Sequence, residues 1–269
     1  MKPSSVLTQD IIQPEWIVQD MLPRGTIVVL AGEAGAGKSY LCYSLAYAAS
    51  LGKPFLGFPT KETRIVYFDE ENGEPDFLQY NQWAWAALGC PDEPETMTQL
   101  DKNLDLQHHT LLSGWKMTMR SVLRAHAPGL VIVDTCTPAF HVKDENDNAE
   151  ASRVLHDLRE MRQAYAAPDT TFLLLKHEKQ REDTGHRRTI RGAKGWLGAC
   201  DQTLYHVIPQ GARRRRDGLR RTVLEPDKLR AFALRHSISI EPEWTDGTVK
   251  GLKLQAKLVV DGPAQKLDT

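Results

Sequence analysis

No apolar run in this chain approaches the length needed to cross a bilayer. The opening residues, MKPSSVLTQD, hold a single Lys with no apolar stretch of secretory type behind it. Both absences predict a soluble, cytoplasmic protein with no membrane partner. Cysteine is scarce: Cys42, Cys90, Cys136 and Cys200 are scattered and show no CxxC or paired-His spacing. That excludes a disulfide framework and a zinc site and predicts buried thiols. Internal repeats and low-complexity tracts are missing as well. The 269 residues suffice for one large α/β domain but not for two ordinary domains with separate cores.

Net charge is also nearly absent, at −1, but that total hides an asymmetry. Residues 62–105 are acidic, whereas residues 176–235 contain KHEKQREDTGHRRTIRGAK and GARRRRDGLRR. An Arg-rich face on a near-neutral protein predicts a polyanionic partner.

Periodicity then gives the architecture. GTIVVLAG (25–32) reads as a buried strand, and SYLCYSLAYAASLG (39–52) as the helix after it, stopping at Gly52. TRIVYFDEEN (63–72) is a second strand, followed by a helix over 74–90 that starts at a Pro. PDEPETMTQLDKN reads as a loop, LDLQHH as a short strand, and 113–127 as an amphipathic helix. GLVIVDT (129–135) is a strand ending in Asp134. It leads through the polar loop HVKDENDN to a helix over 149–166 and the strand TFLLLKH (171–177). Apolar strands alternating with helices predict an α/β fold with a mostly parallel sheet flanked by helices on both faces. After residue 200 the segments DQTLYHVIP, LRRTVLEP, HSISIEPEW and GLKLQAKLVV predict short strands without intervening helices, extending the sheet as antiparallel hairpins. The expected organisation is one domain: an N-terminal segment 1–24 packed on the core, a nucleotide-binding core 25–205, a β-rich extension 206–262 and a frayed tail 263–269.

AGEAGAGKSY (31–40) supplies the first chemistry. Gly32-x-x-x-x-Gly37-Lys38-Ser39 lies between a strand and a helix, the setting in which this spacing wraps phosphates. Gly32, Gly35 and Gly37 permit the backbone to aim several N–H groups at one anion beside a helix N-terminus. Glu33, Ala34, Ala36 and Tyr40 complete the nucleotide-contacting stretch. Lys38 reaches the outer phosphates of ATP, and the Ser39 hydroxyl ligates Mg2+. Asp134, ending LVIVD, is the carboxylate for that metal site. A hydrolase also needs a base beside its water, and YFDEEN at the end of the neighbouring strand offers Asp69, Glu70 and Glu71.

Taken together, PEWIVQDMLPRGTIVVLAGEAGAGKSYLCYSLAYAASLGKPFLG, RIVYFDEEN, GLVIVDT, DENDNAE and LLLKHEKQ resemble the RecA-type P-loop ATPases of the plasmid RepA hexameric helicase group over roughly residues 12–205. The resemblance implies a RecA-like core. It places the catalytic acid of V-x-Y-x-x-x-E on Glu71, with Glu70 second, and a polar sensor of the terminal phosphate on His177. Arg191, Gly192, Ala193, Leu197, Ala199 and Asp201 match a segment whose preceding loop, in the family, touches single-stranded DNA in a central channel. Lys179, Arg181, Arg187 and Arg188 are its phosphate contacts here. Lys228 and Arg230 match a Lys-x-Arg pair that reaches a neighbouring subunit's nucleotide. The implied protein is a ring of identical chains, six in number, hydrolysing ATP while moving along single-stranded DNA. The alternative is a RecA-like ATPase acting as a nucleotide-controlled assembly, regulatory or defence protein without unwinding. ARRRRD (212–217) aligns with nothing in the family and reads equally as a nucleic-acid contact or a solvated hairpin tip. Trp196 reads either as packing or as a base-stacking surface, and WAW (83–85) as helix packing.

Overall fold

The structure, a computed structural model, describes residues 14–89, 93–111, 114–144, 146–165, 167–178, 194–229, 236–246, 250–259 and 265–266. Four apolar strands make its centre: β3 (Ile27–Gly32), β4 (Ile65–Asp69), β6 (Leu130–Asp134) and β7 (Thr171–His177), buried along their length except at His177. With β5 (Leu104–His108) and β8 (Gln202–Val207) they form six parallel strands in the order β8-β3-β7-β6-β4-β5. The sheet continues from β8 through antiparallel β9 (Thr222–Leu229), β10 (Ser237–Trp244), β11 (Leu252–Val259) and the two-residue β12 (Gln265–Lys266). Strand β7 separates β3 from β6. Register therefore sets Gly32 beside His177 and Asp134 beside Asp69 along the carboxyl edge, where ligands of parallel sheets bind.

Residues of each central strand alternate between two cores, as period-two geometry demands. Val28 and Leu30 pack with α1 (Lys38–Ser50), α2 (Glu74–Ala87), α3 (Pro94–Asn103) and the small hairpin of β1 (Trp16–Val18) and β2 (Leu22–Pro23), which buries Ile17, Val18, Met21 and Leu22. Ile27, Val29 and Ala31 pack with α4 (Trp115–His126), α5 (Cys136–Ala139), α6 (Asn148–Ala164) and α7 (Gly195–Ala199). Among the described residues no helix is long and apolar enough to cross a membrane, and Cys42, Cys136 and Cys200 are buried free thiols.

Three local expectations fail for physical reasons. Residues 94–103 form α3 instead of a loop. Pro94 sits at the first helical turn, where its missing N–H removes nothing, and the Thr98 hydroxyl donates to its carbonyl at 2.7 Å. Strand β8 is parallel to β3, so the antiparallel extension starts one strand later than predicted; the short helix α7 carries the chain back to the start of the sheet. Within the expected tail, Gln265 and Lys266 pair with Leu258 and Lys257.

Asp201 fixes the junction between α7 and the sheet. Its carboxylate accepts from the Ile27 amide at 2.9 Å and from Arg159 at 3.3 Å. Asp201→Ala leaves that amide and guanidinium short of an acceptor and is expected to destabilise the chain by about 1–3 kcal/mol. A urea-unfolding midpoint equal to wild type would refute this anchoring role.

Candidate functional site

The loop from Glu33 to Gly37 joins β3 to α1, with Gly35 at φ +70° and Gly37 at φ +91°. Both are left-handed values that a side chain would strain. Helix α6 opens on Asp147, which accepts from the Ala149 and Glu150 amides, whereas α1 has no side-chain cap. Its first N–H groups therefore remain available to an anion, favoured further by the helix dipole. Lys38 is buried, and its ammonium donates to the loop's own carbonyls, Gly32 at 3.0 Å and Glu33 at 3.1 Å. Burial lowers its pKa, opposed by the charges of Asp134 and Glu71. Tyr40 turns its ring away from the loop, with its hydroxyl on the Leu252 carbonyl of β11. Only its main chain is left to face a nucleotide.

The three carboxylates of YFDEEN do different things. Asp69 is fully buried and ties the turn after β4: it accepts from the amides of Glu71 (3.1 Å) and Asn72 (2.9 Å), the Asn72 side chain (2.8 Å) and Tyr43 Oη (2.6 Å). Glu70 is buried too, its Oε1 accepting from the amides of Thr110 and Leu111 at 2.9 Å. Glu71 is the half-exposed one. It meets His177 Nε2 at 3.0 and 3.2 Å, and that bond, helped by the Thr135 hydroxyl and the Lys38 charge, holds its pKa below the usual carboxylate value.

Asp134 is fully buried at the end of β6. Tyr67 Oη donates to its Oδ2 at 3.1 Å, and Oδ1 has no hydrogen-bond partner. Burial, with the charges of Asp69 and Glu71, pushes its pKa up to about 7, while the Ser39 and Tyr67 hydroxyls pull the other way. An unpartnered buried carboxylate oxygen beside a hydroxyl is the donor set a hard divalent cation takes when substrate and water supply the remaining oxygens. Ser39 and Asp134 therefore fit a Mg2+ site. No group of three or more His, Cys, Asp or Glu side chains among the described residues forms a protein-only metal site.

The remaining predicted residues divide. Lys228 donates to the carbonyls of Leu197 (2.6 Å), Gly198 (2.9 Å) and Cys200 (2.7 Å), so its ammonium caps the C-terminus of α7 in its own chain. Arg230, Lys179, Arg181, Arg187, Arg188 and Arg191 lie outside the described residues. Trp196 is fully buried between Phe140 and the Lys176 ammonium, 5.2 Å from its ring, which makes it packing instead of a stacking surface. Trp83 packs edge-on against Trp244, as helix packing predicts.

Sequence reasoning missed three parts of this site. Tyr43 and Tyr67 stack at 4.3 Å and hold the two aspartates; Tyr67 is the Y of the V-x-Y-x-x-x-E match, but neither that nor the polar tip of Tyr43 on an apolar helix signals the pairing. His206, at the end of β8, and Arg220, in the β8–β9 turn, adjoin the phosphate loop from segments that carry no recognisable motif. A family model described as an AAA domain matches residues 4–183 of the chain. No curated protein matches it.

His206 is buried against the loop, its Nε2 on Thr222 Oγ1 at 2.7 Å, and burial plus the nearby Lys38 charge push its pKa down to about 3. The folded chain keeps it neutral while the unfolded chain takes up a proton below about 6.5, so acidification favours unfolding through this group. Between pH 7.5 and 4.5 the wild type should lose up to about 3 kcal/mol more stability than His206→Gln. Parallel losses in urea titrations of the two proteins would contradict this.

Proposed function

The chain belongs to the AAA domain family, which is of P-loop ATPase type, and on that premise we propose that it hydrolyses ATP at the β3–α1 loop under the control of single-stranded DNA. The observation that carries the reading is the division of labour among three adjacent carboxylates. Asp69 and Glu70 are tied to backbone amides, and Glu71 alone of the three pairs with His177 under the influence of Lys38.

In this reading the loop amides and Lys38 take the phosphates, Lys38 exchanging two neutral carbonyls for charged oxygens. Ser39 and Asp134 would hold a magnesium ion, whose charge would offset that developing on the phosphate oxygens. Glu71, already a carboxylate, accepts the proton of the attacking water, and His177 orients it through the 3.0 Å bond. General-base assistance of this kind contributes about two to four powers of ten in rate.

The resemblance to the RepA group supports the rest: a ring of six chains acting as a helicase on single-stranded DNA. Residues 179–193 begin two positions after His177, so their Lys179, Arg181, Arg187, Arg188 and Arg191 are close in sequence to the group that meets Glu71. With Lys228 occupied at α7, contact with a neighbouring subunit's nucleotide falls chiefly to Arg230. Such an arginine is worth about three to five powers of ten in rate, or about 4–7 kcal/mol.

The deciding measurement is the ATPase rate with and without single-stranded DNA, together with particle mass under ATP. Stimulation and a multi-subunit ring are expected. ATP hydrolysis with neither would favour the nucleotide-controlled assembly or regulatory reading. Glu71→Gln should retain ATP binding and lose turnover, whereas Glu70→Gln, which keeps the acceptor for Thr110 and Leu111, should retain it. Full turnover in Glu71→Gln would remove the proposed base.

A further inference from the structure

Strand β8 lies directly beside β3, so the turn that leaves it, residues 208–221, opens at the same edge as the phosphate loop. The two backbones touch there: a Cβ at Gly32 would collide with the His206 carbonyl. The turn is held from within. Arg215 pairs with Asp217 at 2.5 Å and donates to the Pro242 carbonyl at 3.2 Å, Arg214 donates to the Gly218 carbonyl at 3.0 Å, and the Leu219 amide donates to Asp217 at 3.0 Å. Leu219 packs against the core. From this braced support Arg220 extends to the apex of the loop, its Nη2 donating to the Gly35 carbonyl at 2.8 Å.

That contact takes one of the five N–H donors of the guanidinium and gives it a neutral partner. Phosphate oxygens bind the same fork through stronger, charge-assisted bonds and in matched pairs. Lys38 rests in the same way on carbonyls of the same loop, and its motif role is to leave them for the outer phosphates. Gly35 precedes Lys38 by three residues in the same loop. Arg220 stands beside a second positive charge, Arg214. Its pKa is lowered by partial burial and by the neighbouring Arg214 charge, with Glu33 the one acidic group working against them.

We propose that Arg220 binds the terminal phosphate of the nucleoside triphosphate held in its own chain, exchanging the Gly35 carbonyl for that phosphate. The proposal rests on the assignment of the β3–α1 loop as the ATP site. It makes the β8–β9 turn a discriminator between triphosphate and diphosphate, acting within one subunit, in contrast to the intersubunit role of Arg230.

The test is calorimetric titration of the full chain with a nonhydrolysable ATP analogue and with ADP, each with Mg2+, on wild type, Arg220→Gln, Arg220→Lys and Lys38→Ala. Arg220→Gln should weaken the triphosphate analogue on the order of ten- to hundredfold. It should leave ADP within about threefold and the urea midpoint unchanged, with Arg220→Lys recovering part of the loss. Equal weakening of both nucleotides with a lowered midpoint would mean that Arg220 only braces the loop, and no weakening would also overturn the proposal. Should wild type bind neither nucleotide, or Lys38→Ala bind both normally, the ATP-site assignment falls, and Arg220 with it. In mixed assemblies the ATPase defect of Arg220→Gln should not be rescued by Lys38→Ala subunits; rescue would place the arginine in trans and overturn the proposal.

Discussion

Two aspartates buried side by side at the ends of β4 and β6 set the terms for the rest of the site. Like charges in a dry interior repel strongly, and neither is left to face the other bare. Tyr43 and Tyr67, stacked face to face, each donate a phenolic hydrogen bond to one of them. The environments nonetheless differ. Asp69 gathers two further backbone amides and serves the turn, while Asp134 keeps an oxygen without a donor and a pKa near 7. A positive charge beside Asp134 relieves both the repulsion and the desolvation. The same pair also fixes where Glu71 stands, because the turn that carries it is closed by Asp69.

Much of this architecture is legible in the chain itself. Parallel strands announce themselves by unbroken apolar runs, and four of them lie where those runs predict. The phosphate loop and Asp134 are legible because each rests on local chain chemistry: glycine where φ is positive, a carboxylate where an apolar strand ends. Choosing among Asp69, Glu70 and Glu71 is beyond local reasoning. All three lie within one turn, and what separates them is a partner 26 to 106 residues distant in sequence, namely Tyr43 for Asp69, Leu111 for Glu70 and His177 for Glu71. The resemblance to the RepA group points to Glu71, a choice the residues alone leave open. Lys228 shows what spacing alone leaves out. Its spacing from Arg230 suggests a reach into a neighbour, and in the single chain three carbonyls at the end of a five-residue helix hold its ammonium. Residues 94–103 mislead because two prolines look like breaks, although a proline at a helix start breaks nothing.

The antiparallel strands beyond β8 are more than an appendage to the sheet. Tyr40 on α1 bonds to β11, Trp83 on α2 packs on Trp244 of β10, and Arg215 of the turn reaches the β10 carbonyl of Pro242. The helix that follows the phosphate loop is thereby pinned at its first turn by strands from the far end of the chain. Strands β10 and β11 contribute no motif, yet they set how firmly the loop is presented.

Strand β7 carries a further consequence. It is the one strand wedged between the phosphate-loop strand and the Asp134 strand, and it ends in the imidazole that meets Glu71. Its last residue stands in register with Gly32 at the start of the phosphate loop. Any displacement of β7 along its length would therefore be felt at Glu71 and at Gly32 together, because His177 meets the first and lies in register with the second.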